Sequence, residues 1–210
     1  MLNKLISFGG FKQDSYYIQK YLDTLDLKPN NTKKLFVLGF ICLPGTGKSY
    51  ISNILEKKLD LGLSGGDDIR AFLDKEGFRD TSRMKELINK ISYARNAYFF
   101  DNKTSLVVDG DLTQVHQTIS RNAKIHGADI MFINIECPEN IVIARLEKRD
   151  KIAYKNTDIF IQAGVDEYYA RKAIHAEAIK PDTYFTFDAT KDIEAQVLEL
   201  KQKLISDGYL

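Results

Sequence analysis

Two kinds of block alternate along this chain. Some are short and apolar throughout, and others are longer, with apolar side chains three and four positions apart. The first kind suits a strand covered on both faces, and the second suits a helix with one side in a core. Tyr17, Ile18, Tyr21, Leu22 and Leu25 predict a helix over 14–27, which Lys28-Pro29-Asn30-Asn31-Thr32 breaks. Residues 35–42 are nearly all apolar and predict a first strand. Ile51, Ile54, Leu55 and Leu59 mark one side of a helix beginning at Ser49. A short strand is expected at 61–64, followed by a helix from Asp67 to about Lys75 that Gly77 ends.

The alternation continues to the end of the chain. A longer helix over 82–101 aligns Met84, Leu87, Ile88, Ile91, Ala94 and Tyr98. A strand at 105–108 runs into Asp109-Gly110-Asp111, and a helix at 114–126 stops at Gly127. A strand at 129–136 precedes Pro138, whose fixed φ suits a first helical position. The helix after it carries Ile141, Val142 and Leu146, with Arg145 and Arg149 four apart. Residues 150–164 are polar and irregular. A helix at 166–179, a strand at 183–187 and a helix at 192–205 complete the chain. Strands alternating with helices predict a parallel α/β sheet, with ligands at the carboxyl ends of the strands.

One strand-to-helix turn carries chemistry. Cys42-Leu43-Pro44-Gly45-Thr46-Gly47-Lys48-Ser49 fits the phosphate-loop pattern G-x-x-x-x-G-K-[ST] except at its first position, where Cys42 stands for glycine. Gly45 and Gly47 let the backbone turn with N–H groups pointing inward as an anion cradle, with Pro44 and Thr46 grouped beside them as nucleotide-binding residues, and the helix N-terminus adds its dipole. Lys48 can reach the β- and γ-phosphates, and the Ser49 hydroxyl can ligate Mg²⁺. Tyr50 follows in the same helical turn and is grouped with the nucleotide-binding residues. A nucleoside triphosphate with Mg²⁺ is therefore expected; ATP is the nucleotide taken, the loop itself leaving ATP and GTP open.

The end of the second strand lies beside such a loop in open α/β sheets, so Asp67 or Asp68 is expected to face the γ-phosphate as a base or a metal orderer. Arg70, about a turn further on, can hold an anionic group of an acceptor. Asp109, ending a Val-Val strand, can hold Mg²⁺, with Asp111 as its competitor. His116, His126 and His175 show no metal-ligand spacing and are expected at the surface.

Composition narrows the setting. Thirty basic residues balance twenty-nine acidic ones for a net charge of +1, so no global field draws a polyanion. Two cysteines, Cys42 and Cys137, point to a reducing compartment, and a cytoplasmic location is expected. No apolar run approaches the roughly 18–20 residues of a membrane span, so no membrane association is expected.

Leu43 to Ser49, then Asp67-Asp68-Ile69-Arg70, Leu106-Val107-Val108-Asp109, Arg121, Arg145 and Arg149 together resemble the P-loop kinases of the polynucleotide-kinase and zeta-toxin type, over residues 34–190. The resemblance implies a three-layer α/β P-loop NTPase fold. Its sheet has five parallel strands in the order 2-3-1-4-5, with a small helical lid at about 145–172. Residues 1–32, which the resemblance does not reach, are expected to form an N-terminal helical extension, and 33–210 the kinase domain. The first Asp of D-x-x-R, here Asp67, is implied as general base, and Arg70 as the grip on an acceptor's phosphate. Arg149 is implied as a catalytic lid arginine, with Arg145 near the base. Gly77-Phe78-Arg79-Asp80-Thr81 departs from the His-Pro segment of zeta toxins. The expected activity is transfer of the γ-phosphate of ATP to a hydroxyl of a nucleic-acid end, a nucleotide or a small metabolite, some of these acceptors already phosphorylated. The alternatives are a zeta-toxin-like kinase of a nucleotide sugar and a non-catalytic nucleotide-binding regulatory module.

Overall fold

The computed structural model describes residues 12–25, 27, 30, 32–153 and 164–210. In chain order its elements are α1 (Lys12–Leu22), β1 (Phe36–Ile41), α2 (Lys48–Leu59), β2 (Gly62–Gly65), α3 (Asp67–Lys75), α4 (Thr81–Asp101) and β3 (Leu106–Asp111). They continue with α5 (His116–Ile125), β4 (Asp129–Glu136), α6 (Glu139–Ala153), α7 (Val165–Glu177), β5 (Thr183–Asp188) and α8 (Ile193–Ser206). The five strands form one parallel sheet in the order β2-β3-β1-β4-β5, as expected.

β1 is central and all six of its residues are buried. Side chains alternate across a strand. Phe36, Leu38 and Phe40 therefore join Ile51 and Leu55 of α2 and Val197, Leu200 and Leu204 of α8 in one core. Val37 and Ile41 point the other way, to Phe99, Phe100 and Ala123 of α4 and α5. Two apolar layers on a two-sided strand are why β1 reads as a continuous hydrophobic run. Side-chain caps start two of the flanking helices. Asp80 accepts from Arg83 N, and Asp192 accepts from the amides of Glu194 and Ala195.

The N-terminal helix ends five residues earlier than its periodicity suggested. Thr24 and Leu25 hydrogen-bond back to Tyr21 and Leu22 as a turn, which uses the carbonyls a further helical turn would need. α1 packs Tyr17, Tyr21 and Leu22 against Ile69 and Leu73 of α3 and Leu87, Ile88 and Ile91 of α4. Its Asp14 is 3% exposed and paired with Arg83 at 2.5 Å and Lys90 at 2.8 Å, which compensates a carboxylate held out of water.

α6 continues to Ala153, into the stretch expected to be irregular. Residues 154–163, the middle of the expected lid, lie outside the described residues, and the two ends of that lid are helical in α6 and α7. No described helix is long and apolar enough to cross a membrane.

The sheet's register breaks at one place that matters. Gly39 of β1 pairs with Val108 of β3, but the next residue, Phe40, pairs with Asp111. Asp109 and Gly110 are the inserted residues, and Asp109 pairs instead with Gly65 of β2. Such bulges re-aim side chains at strand ends.

Candidate functional site

The turn from β1 to α2 is built on two left-handed glycines. Gly45 has φ +80° and Gly47 has φ +107°, conformations in which a side chain is strained. A Cβ on Gly45 would also lie 2.9 Å from Val142 Cγ1 and 3.0 Å from Leu146 Cγ, because α6 packs directly on the loop. Thr46 Oγ1 donates to Leu43 O at 2.9 Å and closes the turn from inside. Cys42, at the position where the pattern has glycine, is not among the described residues with positive φ, so its backbone tolerates a side chain. The thiol is buried against this loop. Burial pushes its pKa up to about 12, against the opposing pull of the Lys48 charge.

Lys48 and Ser49, the first residues of α2, converge on one carboxylate. Lys48 Nζ donates to Asp109 Oδ1, and Ser49 Oγ donates to the same oxygen at 3.2 Å. The bulge in β3 makes this meeting possible by turning Asp109 towards the phosphate loop. Asp111, two residues on, is engaged elsewhere: its Oδ2 lies 2.8 Å from His175 Nε2, and its Oδ1 accepts from Thr113 Oγ1 at 2.7 Å. Of the two aspartates, Asp109 is the one that lies beside Lys48 and Ser49. A hydroxyl and a carboxylate oxygen 3.2 Å apart are hard donors of the kind that suit Mg²⁺ when substrate phosphates and water complete the shell.

His175 corrects the expectation that the histidines are surface residues. It is 7% exposed and bonds both Asp111 and Thr113, 64 and 62 positions away, which no sequence spacing signals.

Asp67 and Asp68 open α3 and go separate ways. Asp67 is exposed and forms an i,i+3 ion pair with Arg70, Oδ1 to Nη1 2.6 Å. Asp68 Oδ2 accepts from Arg95 Nη1 at 2.7 Å and from the Tyr21 hydroxyl. A Cβ built on Gly65 would meet Asp68 Oδ1 at 3.5 Å and Asp109 Cβ at 3.6 Å, so both acidic residues lie beside the end of β2. Arg95 is 1% exposed. It also donates through Nη2 to Ser64 Oγ at 2.9 Å and Gly65 O at 2.5 Å. Burial raises the Tyr21 hydroxyl well above its ordinary pKa, so it stays a donor to Asp68. Sequence reasoning missed Tyr21 and Arg95. One signal existed: Arg95 sits four residues after Ile91 and four before Phe99, a charge inside an apolar helical stripe.

Two of the remaining residues touch or face the loop. Arg145 Nη1 donates to Thr46 O at 3.2 Å and Gly45 O at 3.4 Å, and lies 3.5 Å from Cys137 Sγ. Tyr50 is exposed beside the loop in α2's first turn. Arg149 is exposed one turn beyond Arg145 on α6. Lys172 of α7 and Glu139 of α6 form an ion pair that joins the two helices. Arg79 pairs with Asp74 and Arg83 with Asp14, so these two arginines do not gather with Arg70 into one anion track.

Comparison with known proteins adds four findings. A family model described as an AAA domain matches residues 39–169. An adenylyl-sulfate kinase of Clostridium acetobutylicum is 29% identical over 188 residues, covering 82% of this chain and 86% of that protein. Among solved structures, the APS kinase CysC of Mycobacterium tuberculosis, in complex with AMPPNP and APS, has a TM-score of 0.54 at 20% identity, covering 84% of this chain and 99% of that one. A structure from the PezAT toxin-antitoxin system of Streptococcus pneumoniae has a TM-score of 0.58 at 14% identity, covering 96% and 98%. At these identities the structural likenesses speak to the fold.

Proposed function

The chain belongs to the AAA-domain family, and on that premise we propose that it is an ATP-dependent kinase that passes the γ-phosphate to a hydroxyl of a nucleotide or small metabolite. The observation that carries this reading is the convergence of Lys48 and Ser49 on Asp109 at the mouth of a left-handed glycine turn. Phosphoryl transfer asks mainly for positioning and for stabilisation of spread negative charge. In this reading the N–H groups from Gly45 to Ser49 cradle the β-phosphate. Lys48 would exchange Asp109 for phosphate oxygens, and Ser49 and Asp109 would hold Mg²⁺. The metal, when bound, neutralises charge on the β- and γ-oxygens.

Asp67 is the base that takes the acceptor's proton, and its exposure at the start of α3 leaves it open to an incoming hydroxyl. Arg70, now on Asp67, would release it to bind an anionic group of the acceptor. Arg145 lies over the loop and Arg149 closes from the lid to stabilise the transferring phosphoryl. A nucleotide or metabolite is favoured over a nucleic-acid end because the net charge is +1 and because Arg79 and Arg83 are committed to their own ion pairs. The Clostridium relative, a kinase by name, supports the same acceptor class.

Transfer of labelled phosphate from ATP tests this against adenylyl sulfate, nucleosides, sugars, nucleotide sugars, and DNA and RNA 5′-hydroxyl ends. One small acceptor is expected to be labelled, with Asp67→Ala lowering the rate by about 100-fold or more. ATP binding without transfer to any acceptor would instead support the regulatory-module alternative, and labelling of a nucleotide sugar alone would support the toxin-like one.

A further inference from the structure

We propose that α1, although it lies outside the matched family region, is a working part of the acceptor side: Tyr21 and Arg95 are positioning residues that fix the Asp67–Asp68 turn. The inference rests on the kinase reading for its catalytic consequence, but its structural half stands without it. The turn between β2 and α3 is short and has no side-chain cap, since Gly66 at the N-cap offers none. Its stiffness must come from elsewhere. The Arg95 guanidinium supplies it, reaching from α4 to bind both strands of the turn's path: Ser64 Oγ and Gly65 O before it, Asp68 Oδ2 after it. Arg95 also donates to the Tyr21 oxygen at 2.7 Å, and that hydroxyl in turn donates to Asp68 Oδ2.

Two elements distant in sequence, α1 and α4, are thereby locked to one carboxylate of α3. The lock is dry on the Arg95 side, where the guanidinium is 1% exposed, and its hydrogen bonds are therefore strong and directional. Asp68 is held by Oδ2, so its helix turn cannot rotate freely, and Asp67 one residue earlier is held in azimuth with it. The Tyr21 ring is packed edge-on against Phe72 of α3 at 5.2 Å between centroids. This packing ties α1 to the same helix that presents Asp67 and Arg70. Tyr21 and Arg95 do not touch a reacting atom; they act through the two aspartates.

The test uses the full chain with Tyr21→Phe, which deletes one hydroxyl and keeps the ring packing. Two measurements are made. Amide hydrogen exchange over residues 65–70 is expected to quicken, while exchange in the phosphate loop at 43–49 stays as in the parent. Steady-state transfer is expected to show kcat lowered about ten-fold with the KM for ATP unchanged, short of the hundred-fold that a ~1 Å misplacement can cost. Asp68→Asn supplies the second arm. If the hydroxyl acts through Asp68, the kcat losses of the double variant are less than the product of the single ones.

Unchanged exchange at 65–70 in Tyr21→Phe overturns the proposal. So does faster exchange with kcat unaltered, or a fall in melting temperature with no change in either, which would make the cluster packing alone. If the parent transfers phosphate to nothing, the kinase reading fails, and the exchange result alone decides whether α1 positions the turn.

Discussion

Gly45→Ala is the substitution whose cost can be worked most fully from this structure. Two terms add. The φ of +80° places a Cβ against the following carbonyl, at about 1–2 kcal/mol. The new methyl would also sit 2.9 Å from Val142 Cγ1 and 3.0 Å from Leu146 Cγ. Neither atom is the far end of a flexible side chain, so relief requires α6 to move outward, and overpacking of this kind costs about 1–3 kcal/mol. The sum is about 2–5 kcal/mol. At roughly 2–4 °C per kcal/mol for a chain of this size, the melting temperature should fall by about 4–20 °C.

Gly77→Ala is the control. Its φ of +75° carries the same backbone term, but nothing lies within 4 Å of the added Cβ, so only about 1–2 kcal/mol is expected. Both are read by calorimetry, and ATP binding by titration calorimetry on the same samples. Movement of α6 would carry Arg145 off the carbonyls of Gly45 and Thr46, so Gly45→Ala should also weaken ATP binding while Gly77→Ala should not. Equal melting shifts in the two variants would refute the packing of α6 on the loop, and with it the reason for glycine at that position beyond backbone conformation.

Other consequences can be measured directly. Lys48→Ala should abolish detectable MgATP binding by titration calorimetry, and binding equal to the parent would remove the basis of the proposed function. Asp109→Asn should weaken the Mg²⁺ dependence of ATP binding, whereas Asp111→Asn should lower the melting temperature through His175 with little effect on that dependence. The Glu139–Lys172 pair depresses the glutamate pKa below its ordinary 4.5, mainly through the lysine's hydrogen bond. Its contribution is therefore present above about pH 4.5 and lost as pH falls through the depressed folded value. The denaturation midpoints of parent and Glu139→Gln should differ slightly at neutral pH and converge in that acid window. Cys42, buried and pushed up to about 12, should resist alkylation at pH 8 in the folded chain and react once it is unfolded, read by mass spectrometry.

What the sequence by itself determined is what depends on neighbours along the chain. Apolar runs and three-four spacing located the strands and helices to within a few residues, because a strand buried on both faces and a helix with one buried side are local patterns. The phosphate loop was legible for the same reason: left-handed glycines, a lysine and a hydroxyl at the start of a helix act through adjacent backbone. Cys42 could stand in the pattern because its own backbone is not left-handed.

The tertiary structure decided which side chains meet. Asp109 and Asp111 are two residues apart and chemically identical. A bulge against β1 sends one to Lys48 and lets the other bury its charge on His175 from α7. A histidine with no spaced partners looked like a surface residue until the fold brought it beside Asp111. Tyr21 reads along the chain as an ordinary apolar position of its helix, and Arg95 as a charge in an apolar stripe with no visible partner. Only the packing of α1 on α3 and α4 places both on Asp68, because the hydroxyl and the guanidinium that meet its carboxylate come from elements 47 and 27 positions away along the chain.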